Sequence, residues 1–286
     1  ALFGLEYKRY ENQHAEIYAT ETSDRAFEEE VMLAGFASAP TKQEGAGVVF
    51  DQANETFTAR YNHETIALAF AITEEAIEDN LYDRLAARYT RALARSMANT
   101  KQVKAANVLN NAQNTAFTGG DGKTLINNAH PLATGGTFSN VLATAADLNE
   151  TSLEQSLIDI QAFVDERGLK IAAQGVKMII PKELQFTAER LMKTPQRVGT
   201  ADNDINAIAS MGMVPQGYRV NNFLTDTDSF FLMTDVPNGM KMFVRSPIKT
   251  AMEGDFDTGN VRFKARERYS FGFSDPRAIF GNGKLV

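Results

Sequence analysis

The 286-residue chain contains no cysteine. Disulfides, thiolate nucleophiles, iron–sulfur clusters and cysteine zinc sites are therefore excluded. Histidine is scarce as well: His14, His63 and His130 are the only ones, too few for a multi-histidine metal centre. The longest uninterrupted apolar run, Ile66 to Ile72, is far short of the ~20 residues a membrane helix needs. The first residues show no charged n-region leading into an apolar h-region. Positive charge is in deficit, with 29 Lys and Arg against 36 Asp and Glu, which argues against a dedicated nucleic-acid binder. What remains is an ordinary globular composition, 43% hydrophobic and 23% charged. It suits one large domain or two modest ones and excludes collagen, a pure coiled coil and low-complexity disorder.

Residues 1–25 read as an arm, mixing polar and aromatic side chains from Tyr7 to Gln13 with too short a period to bury much alone. In residues 26–72, β-type runs flank a turn-rich stretch from Ala39-Pro40 to Gly45-Ala46-Gly47. Such a pattern predicts a long antiparallel hairpin. Its tip is too polar to have a core, and an isolated two-stranded ribbon is marginal in water, so a partner surface is expected.

Thr73 is a good N-cap, with Glu74 and Glu75 in the first turn, where the helix dipole favours acids. Ile77, Leu81, Leu85, Tyr89, Leu93 and Met97 follow at four-residue intervals, and no Pro or Gly intervenes before Phe117. One helix reaching about Ala112 is predicted, ~60 Å long at 1.5 Å per residue. Loop follows to about residue 147. A capping-box spacing at Thr151 and Glu154 predicts a second helix with the stripe Leu153, Leu157, Ile160 and Val164, ending near Gly168. A strand over Val176–Ile180, a helix over Pro181–Met192 and strands at Tyr218–Phe223 and Phe230–Thr234 complete a compact α/β unit. The chain closes on a strongly alternating strand. Val261, Phe263, Ala265, Tyr269, Phe271 and Phe273 share one face, which Glu267 interrupts, and Arg262, Lys264, Arg266 and Arg268 share the other.

Several short patterns resemble catalytic or binding motifs without meeting their requirements. Gly119-Gly120-Asp121-Gly122-Lys123-Thr124 ends like a phosphate loop, but Phe117 stands where the leading glycine belongs, and the stretch follows a helix. Asp255 to Gly259 and Asp202 to Asp204 lack the spacing of calcium loops. His63 beside Glu64 and His130 before Pro131 have no serine in a nucleophile elbow, so both read as structural or surface histidines. No catalytic residue, cofactor or metal is expected. The basic stripe is read as pairing with acids of another element or subunit, with contact to packaged DNA as the alternative. Glu28, Glu29 and Glu30 are its nearest compositional complement.

The order of these elements resembles the major capsid protein of tailed phages, the Hong Kong 97-like fold, over essentially the whole chain. The resemblance also rests on local phrases: Phe57-Thr58-Ala59-Arg60-Tyr61-Asn62-His63, Ala76-Ile77-Glu78-Asp79-Asn80-Leu81-Tyr82, Gly122-Lys123-Thr124-Leu125 leading to His130-Pro131-Leu132, and Arg268-Tyr269-Ser270-Phe271-Gly272-Phe273-Ser274-Asp275-Pro276-Arg277. It implies an α+β chain with an N-terminal arm (1–25), an extended E-loop (26–72), a P-domain with a long spine helix (73–135) and its C-terminal strands (245–286), and an inserted α/β A-domain (136–244). It implies self-assembly into hexamers and pentamers of an icosahedral shell around phage DNA, without sequence-specific DNA binding and without a membrane. The virion is the expected location, after assembly in the host cytoplasm, with portal, scaffold and decoration proteins as further partners. Lys42 falls in the E-loop, where some relatives form a Lys–Asn crosslink, but no partner Asn or acid matches here. The start at Ala1 and the overall length fit a mature capsid body. A bacterial encapsulin-type nanocompartment shell shares the implied fold and is the alternative. An α/β hydrolase-like enzyme is disfavoured, because no nucleophile pairs with a histidine.

Overall fold

The structure is a computed structural model that describes residues 2–79, 82–197, 204–255 and 259–283. In chain order it contains α1 (Leu2–Arg9), β1 (Ala19–Thr22), β2 (Phe27–Ala34), β3 (Asn54–Asn62), β4 (Glu64–Ile72), α2 (Glu74–Glu78) and α3 (Tyr82–Asn110). The short strands β5 (His130–Pro131) and β6 (Thr137–Phe138) precede α4 (Glu150–Gln161), β7 (Gly175–Ile180), α5 (Gln185–Lys193), α6 (Ala207–Met211), β8 (Tyr218–Val220) and β9 (Phe231–Thr234). The last elements are β10 (Met240–Gly254), β11 (Val261–Phe273) and β12 (Ile279–Gly281). The chain is thus a mixed α+β protein, and it divides into two compact units.

The first unit comprises residues 1–28, 61–107 and 241–272. Its sheet runs β1-β10-β11-β4, with β1 parallel to β10 and β4 antiparallel to β11, from Val261 opposite Ile72 to Tyr269 opposite Glu64. The inner face packs Ala265, Ile66, Phe70 and Ile248 on Leu93 and Met97 of α3. The expected arm is helical: α1 places Phe3 and Tyr7, one turn apart, on this same core, with their rings stacked at 5.9 Å. Thr73 caps α2 by accepting from the Ala76 N–H, as its sequence position suggests. The predicted single helix is instead described as α2 and α3, with Asn80 and Leu81 outside the described residues. α3 has 29 residues, about 43 Å at 1.5 Å each. Among its described side chains, Leu93 and Met97 of the expected stripe are buried, with Ala94, Ala98, Ala105 and Ala106 beside them, while the Leu85 side chain lies outside those described. Tyr89, expected on that stripe, is exposed.

The second unit comprises residues 29–60, 108–240 and 273–286. Its sheet order is β12-β9-β7-β8, with β7 antiparallel to β9 and parallel to β8. Leu153, Leu157 and Ile160 of α4 pack with Met178, Ile180, Phe230, Leu232 and Phe280 in one core. Each fully buried side chain of this size contributes about 1.5–3 kcal/mol. The α4 cap differs from the expectation at Thr151 and Glu154. Asn149 accepts from Ser152 N at 2.8 Å while Ser152 Oγ accepts from Asn149 N at 3.0 Å. The reciprocal geometry is that of a capping box, two residues earlier and built from Asn and Ser. Gly168 does not cap this helix. It takes φ +81° in the turn after it, a conformation that costs a side chain energy.

The hairpin consists of β2 and β3, which form a two-stranded sheet of their own. Residues 35–53 carry no regular secondary structure. β4, read from sequence as part of the same ribbon, leaves it at His63 and pairs with β11.

Candidate assembly surfaces

The ribbon exposes apolar groups that its own strands cannot cover. Val31 is 44% exposed, Leu33 64% and Phe50 94%, and Phe36, Val48 and Val49 are exposed as well. Its neck is held by a residue that sequence reasoning missed. Arg167 donates through Nε to Gly35 O at 3.1 Å and through Nη2 to Gln52 O at 2.8 Å, and it lies 3.3 Å from Asp51. Asp51 in turn accepts from the N–H groups of Ala37 and Gln52, both at 2.8 Å. These backbone donors, with Arg167 beside them, hold the Asp51 carboxyl below its ordinary range. Lys42 lies exposed in the loop beyond this neck.

The acidic run at the base of the ribbon is split by the pleat of β2. Glu28 accepts from Ser23 Oγ at 2.7 Å, and Glu30 accepts from the Ser274 hydroxyl. Glu29 projects to the other side and sits 3.8 Å from Arg60. Glu28 and Glu30 are half-buried and Glu29 is exposed.

β11 shows the alternation expected of it. Arg262, Lys264 and Arg266 are exposed and Arg268 is half-buried, while Ala265, Glu267 and Tyr269 face inward and are buried. The residues of β4 opposite the basic row are Ala71, Ala69, Ala67 and Thr65. No carboxylate stands across from it on that strand. Among the described residues, Arg262 is the member of the row that makes an ion pair, to Asp255. Residues 256–258 of the faint calcium-loop pattern, and residues 202–203 of the other, lie outside the described residues.

Glu267, which interrupts the apolar face in the sequence, is 1% exposed, and its Oε2 is paired from within the unit while Oε1 has no hydrogen-bond partner. Lys101 Nζ lies 2.5 Å from Oε2, and the Tyr7 hydroxyl donates to the same oxygen at 3.1 Å. The Lys101 ammonium also sits 5.2 Å and 5.1 Å from the ring centroids of Tyr7 and Tyr269. Burial and the nearby Glu267 carboxylate push both phenols up.

His63 stands where β3 gives way to β4, and its ring bridges two serines. Nε2 is 2.9 Å from Ser23 Oγ and Nδ1 is 3.0 Å from Ser270 Oγ. The single Ser23 proton is committed to Glu28, so Ser23 Oγ must accept from Nε2–H. Ser270 then donates to Nδ1. A nucleophilic triad needs its carboxylate on the imidazole and an accessible hydroxyl. Here the carboxylate is on the serine, and both serines are buried, at 4% and 5% exposure.

His130 is fully buried. Its Nδ1 is 2.6 Å from Asp121 Oδ2 and its Nε2 is 3.2 Å from Asn140 Oδ1, while its ring stacks on Phe138. Asn140 Nδ2 donates to Leu125 O, Pro276 O and Ile279 O, tying three segments together. The Gly119–Thr124 stretch closes on itself, with Gly119 N–H donating to Lys123 O and Gly122 N–H to Gly119 O. Those amides are spent on the turn and do not form a phosphate cradle. Among the described residues no group of three His, Asp or Glu is placed to hold a metal. No described helix is long and apolar enough to cross a membrane.

An α+β chain with an apolar-edged ribbon, a sheet bearing a basic outer face and polar clusters turned to structural use has the features of an assembly subunit. The family model for the phage capsid protein matches residues 56–282, and the chain belongs to that family. Its role is that of a capsid shell protein. Solved structures share the fold at low identity. The chain is similar to that in "Crystal structure of virus-like particle from Pyrococcus furiosus", at TM-score 0.56 and 8% identity over 98% of this chain and 95% of that one. It is also similar to the chain of an empty GTA particle capsid, at TM-score 0.55 and 12% identity over 95% and 89%. The capsid of Myoviridae phage XM1 matches at TM-score 0.51 and 11% identity over 93% and 88%. A search of curated protein sequences finds no significant match.

Proposed function

We propose that this chain is the major subunit of an icosahedral phage head, built on the Hong Kong 97-like plan. In that plan residues 1–25 are the arm, 26–72 the E-loop, 73–135 and 245–286 the P-domain, and 136–244 the A-domain. Copies join as hexamers and pentamers, enclose DNA without reading its sequence, and meet portal, scaffold and decoration proteins during assembly in the host cytoplasm. The observation that carries this reading is the ribbon. Its strand β2 leaves Val31 and Leu33 in solvent, the segment that joins β2 to β3 leaves Phe36 and Phe50 there, and a two-stranded sheet gains stability only against another surface. Repetition of one such contact under closed symmetry gives a shell.

Electron microscopy of the purified protein, at increasing concentration and over a range of salt, tests the proposal. Closed particles are expected, and a protein that stays monomeric under every condition overturns it. Hydrogen exchange over residues 39–47 should be slower in the particles than in dissociated subunits. Particles filled with one cargo enzyme, lacking DNA-packaging partners, would assign the chain to a nanocompartment instead.

A further inference from the structure

Two arginines of the first unit carry charge that the chain itself does not answer. Arg245 lies in β10 and Arg268 in the neighbouring strand β11, and both are half-buried. The Nε atom of each is shut off from solvent without a hydrogen-bond partner. Among the described residues neither guanidinium group makes an ion pair. Other arginines sheltered from solvent are paired: Arg277 holds Glu166 and Asp275, and Arg167 holds Asp51.

The two arginines converge on His63. Val244, next to Arg245, pairs with Thr22 and accepts from the Ser23 N–H at 3.1 Å. Arg268 precedes Ser270 by two residues and shares its side of β11. Ser23 and Ser270 are the two hydroxyls between which the His63 ring is held. Burial comes first in lowering the His63 imidazole, and the two guanidinium charges act on it in the same direction. Thr65, opposite Arg268 on β4, sets a further hydroxyl beside that arginine. The Glu28 carboxylate also acts on His63, but it is committed to Ser23 Oγ at 2.7 Å.

We propose that Arg245 and Arg268 form a binding site for a small tetrahedral oxyanion of the sulfate or phosphate class, seated beside His63 and Thr65. A half-buried cation without a counter-charge is costly, and two of them close together are costlier. One bound dianion offsets both. Guanidinium forks match the oxygen spacing of such an anion, so its oxygens serve two forks at once. The ion then ties β10 and β11 to the start of β4. A nucleic acid would bring many phosphates to a chain of net charge −7, whereas a single small anion meets only these groups.

Sulfate is the probe, because its charge is constant through the range in which histidine titrates. NMR follows the histidine side chains of the full chain, as dissociated subunits, in sodium sulfate and in sodium chloride of equal ionic strength. His63→Gln assigns the His63 signal. At saturating sulfate His63 is expected to titrate about one pH unit higher, because the anion offsets Arg245 and Arg268 and leaves Glu28 as the other charge acting there. His14 and His130 should not move with it. Arg245→Gln and Arg268→Gln should each weaken the sulfate dependence about tenfold or more. Melting temperatures separate a ligand site from a role in folding alone. Each variant should melt no lower than the wild type in chloride and below it in sulfate. A His63 titration indifferent to sulfate overturns the proposal. So does a response that survives both substitutions, which marks an adventitious ion only. An equal loss of stability in the two salts gives the arginines to the fold alone and overturns it too. A short DNA duplex that shifts His63 through these arginines, where sulfate does not, makes nucleic acid the ligand and overturns it as well.

Discussion

Lys101 and Glu267 meet at 2.5 Å in the first unit, between the middle of the long helix and the inner face of the last long strand. The carboxylate is 1% exposed and the ammonium 15%. Removing one partner of such a pair leaves a charge buried without compensation, which is costlier than never having had the pair. Lys101→Met should therefore lower stability by about 3 kcal/mol. The triple change Tyr7→Phe, Lys101→Met and Glu267→Leu should recover most of that loss. Denaturant melts of the dissociated subunit measure both. A single variant as stable as the wild type would show that water reaches Glu267.

The second prediction concerns acid. Burial, with Arg268 and Arg245 nearby, pulls the His63 imidazole below its ordinary value against the opposing effect of Glu28. Burial also lowers His14, with Lys101 adding to it, against its hydrogen bond with Gln102. A lowered value in the folded state means that the unfolded chain takes up the proton first as pH falls. The stabilisation is complete above about 6.5 and is lost as the pH drops from there through the folded values. Protonation of Nδ1 would also turn a donor toward Ser270 and force that hydrogen bond to reverse, while the links from Nε2 through Ser23 to Glu28 stay as they are. Melting temperature should thus fall on acidification below neutrality, and His63→Gln should flatten part of that slope. Parallel slopes for the two proteins would remove His63 from the account.

A third prediction separates the neck of the ribbon from its strands. Arg167 holds Gly35 O, Gln52 O and Asp51 at once. Arg167→Ala should speed exchange and proteolysis between residues 35 and 53, with a change in global stability of no more than about 1 kcal/mol, because the side chain is near the surface. An unchanged exchange pattern would mean that the turn residues hold the loop without it.

Close approach of a backbone and a ring gives the fourth. A Cβ on Gly272 would lie 2.7 Å from Cε1 of Tyr61. That ring is buried at 3% exposure and meets Phe243 edge-on at 4.8 Å. Gly272→Ala should cost about 1–3 kcal/mol through overpacking, as read by chemical denaturation. The further change Tyr61→Leu should relieve part of it. A neutral Gly272→Ala would show that the ring can shift aside freely.

What the sequence by itself determined are the features that repeat at short range. The two faces of β11, the cap at Thr73, the apolar side of α4 and the turn-rich middle of the ribbon follow from periods of 2 and 3.6 and from the preferences of Thr, Pro and Gly. Each is set by neighbours a few residues away. Only the tertiary structure decided the partners. α1 is a helix because Phe3 and Tyr7 find a core made by α3 and the first unit's sheet, and no local signal marks that core. β4 leaves the ribbon because β11, distant in sequence, offers it a full antiparallel register. Glu267 looked like a flaw in an apolar face until Lys101 and Tyr7 were placed beside it. The run Glu28 to Glu30 reads as one acidic block in sequence. The pleat divides it, sending Glu28 and Glu30 to serines of their own chain and leaving Glu29 on the exposed side. Local periodicity fixes which way a side chain points, whereas the group it meets depends on contacts between distant segments, whose energies no short window of sequence contains.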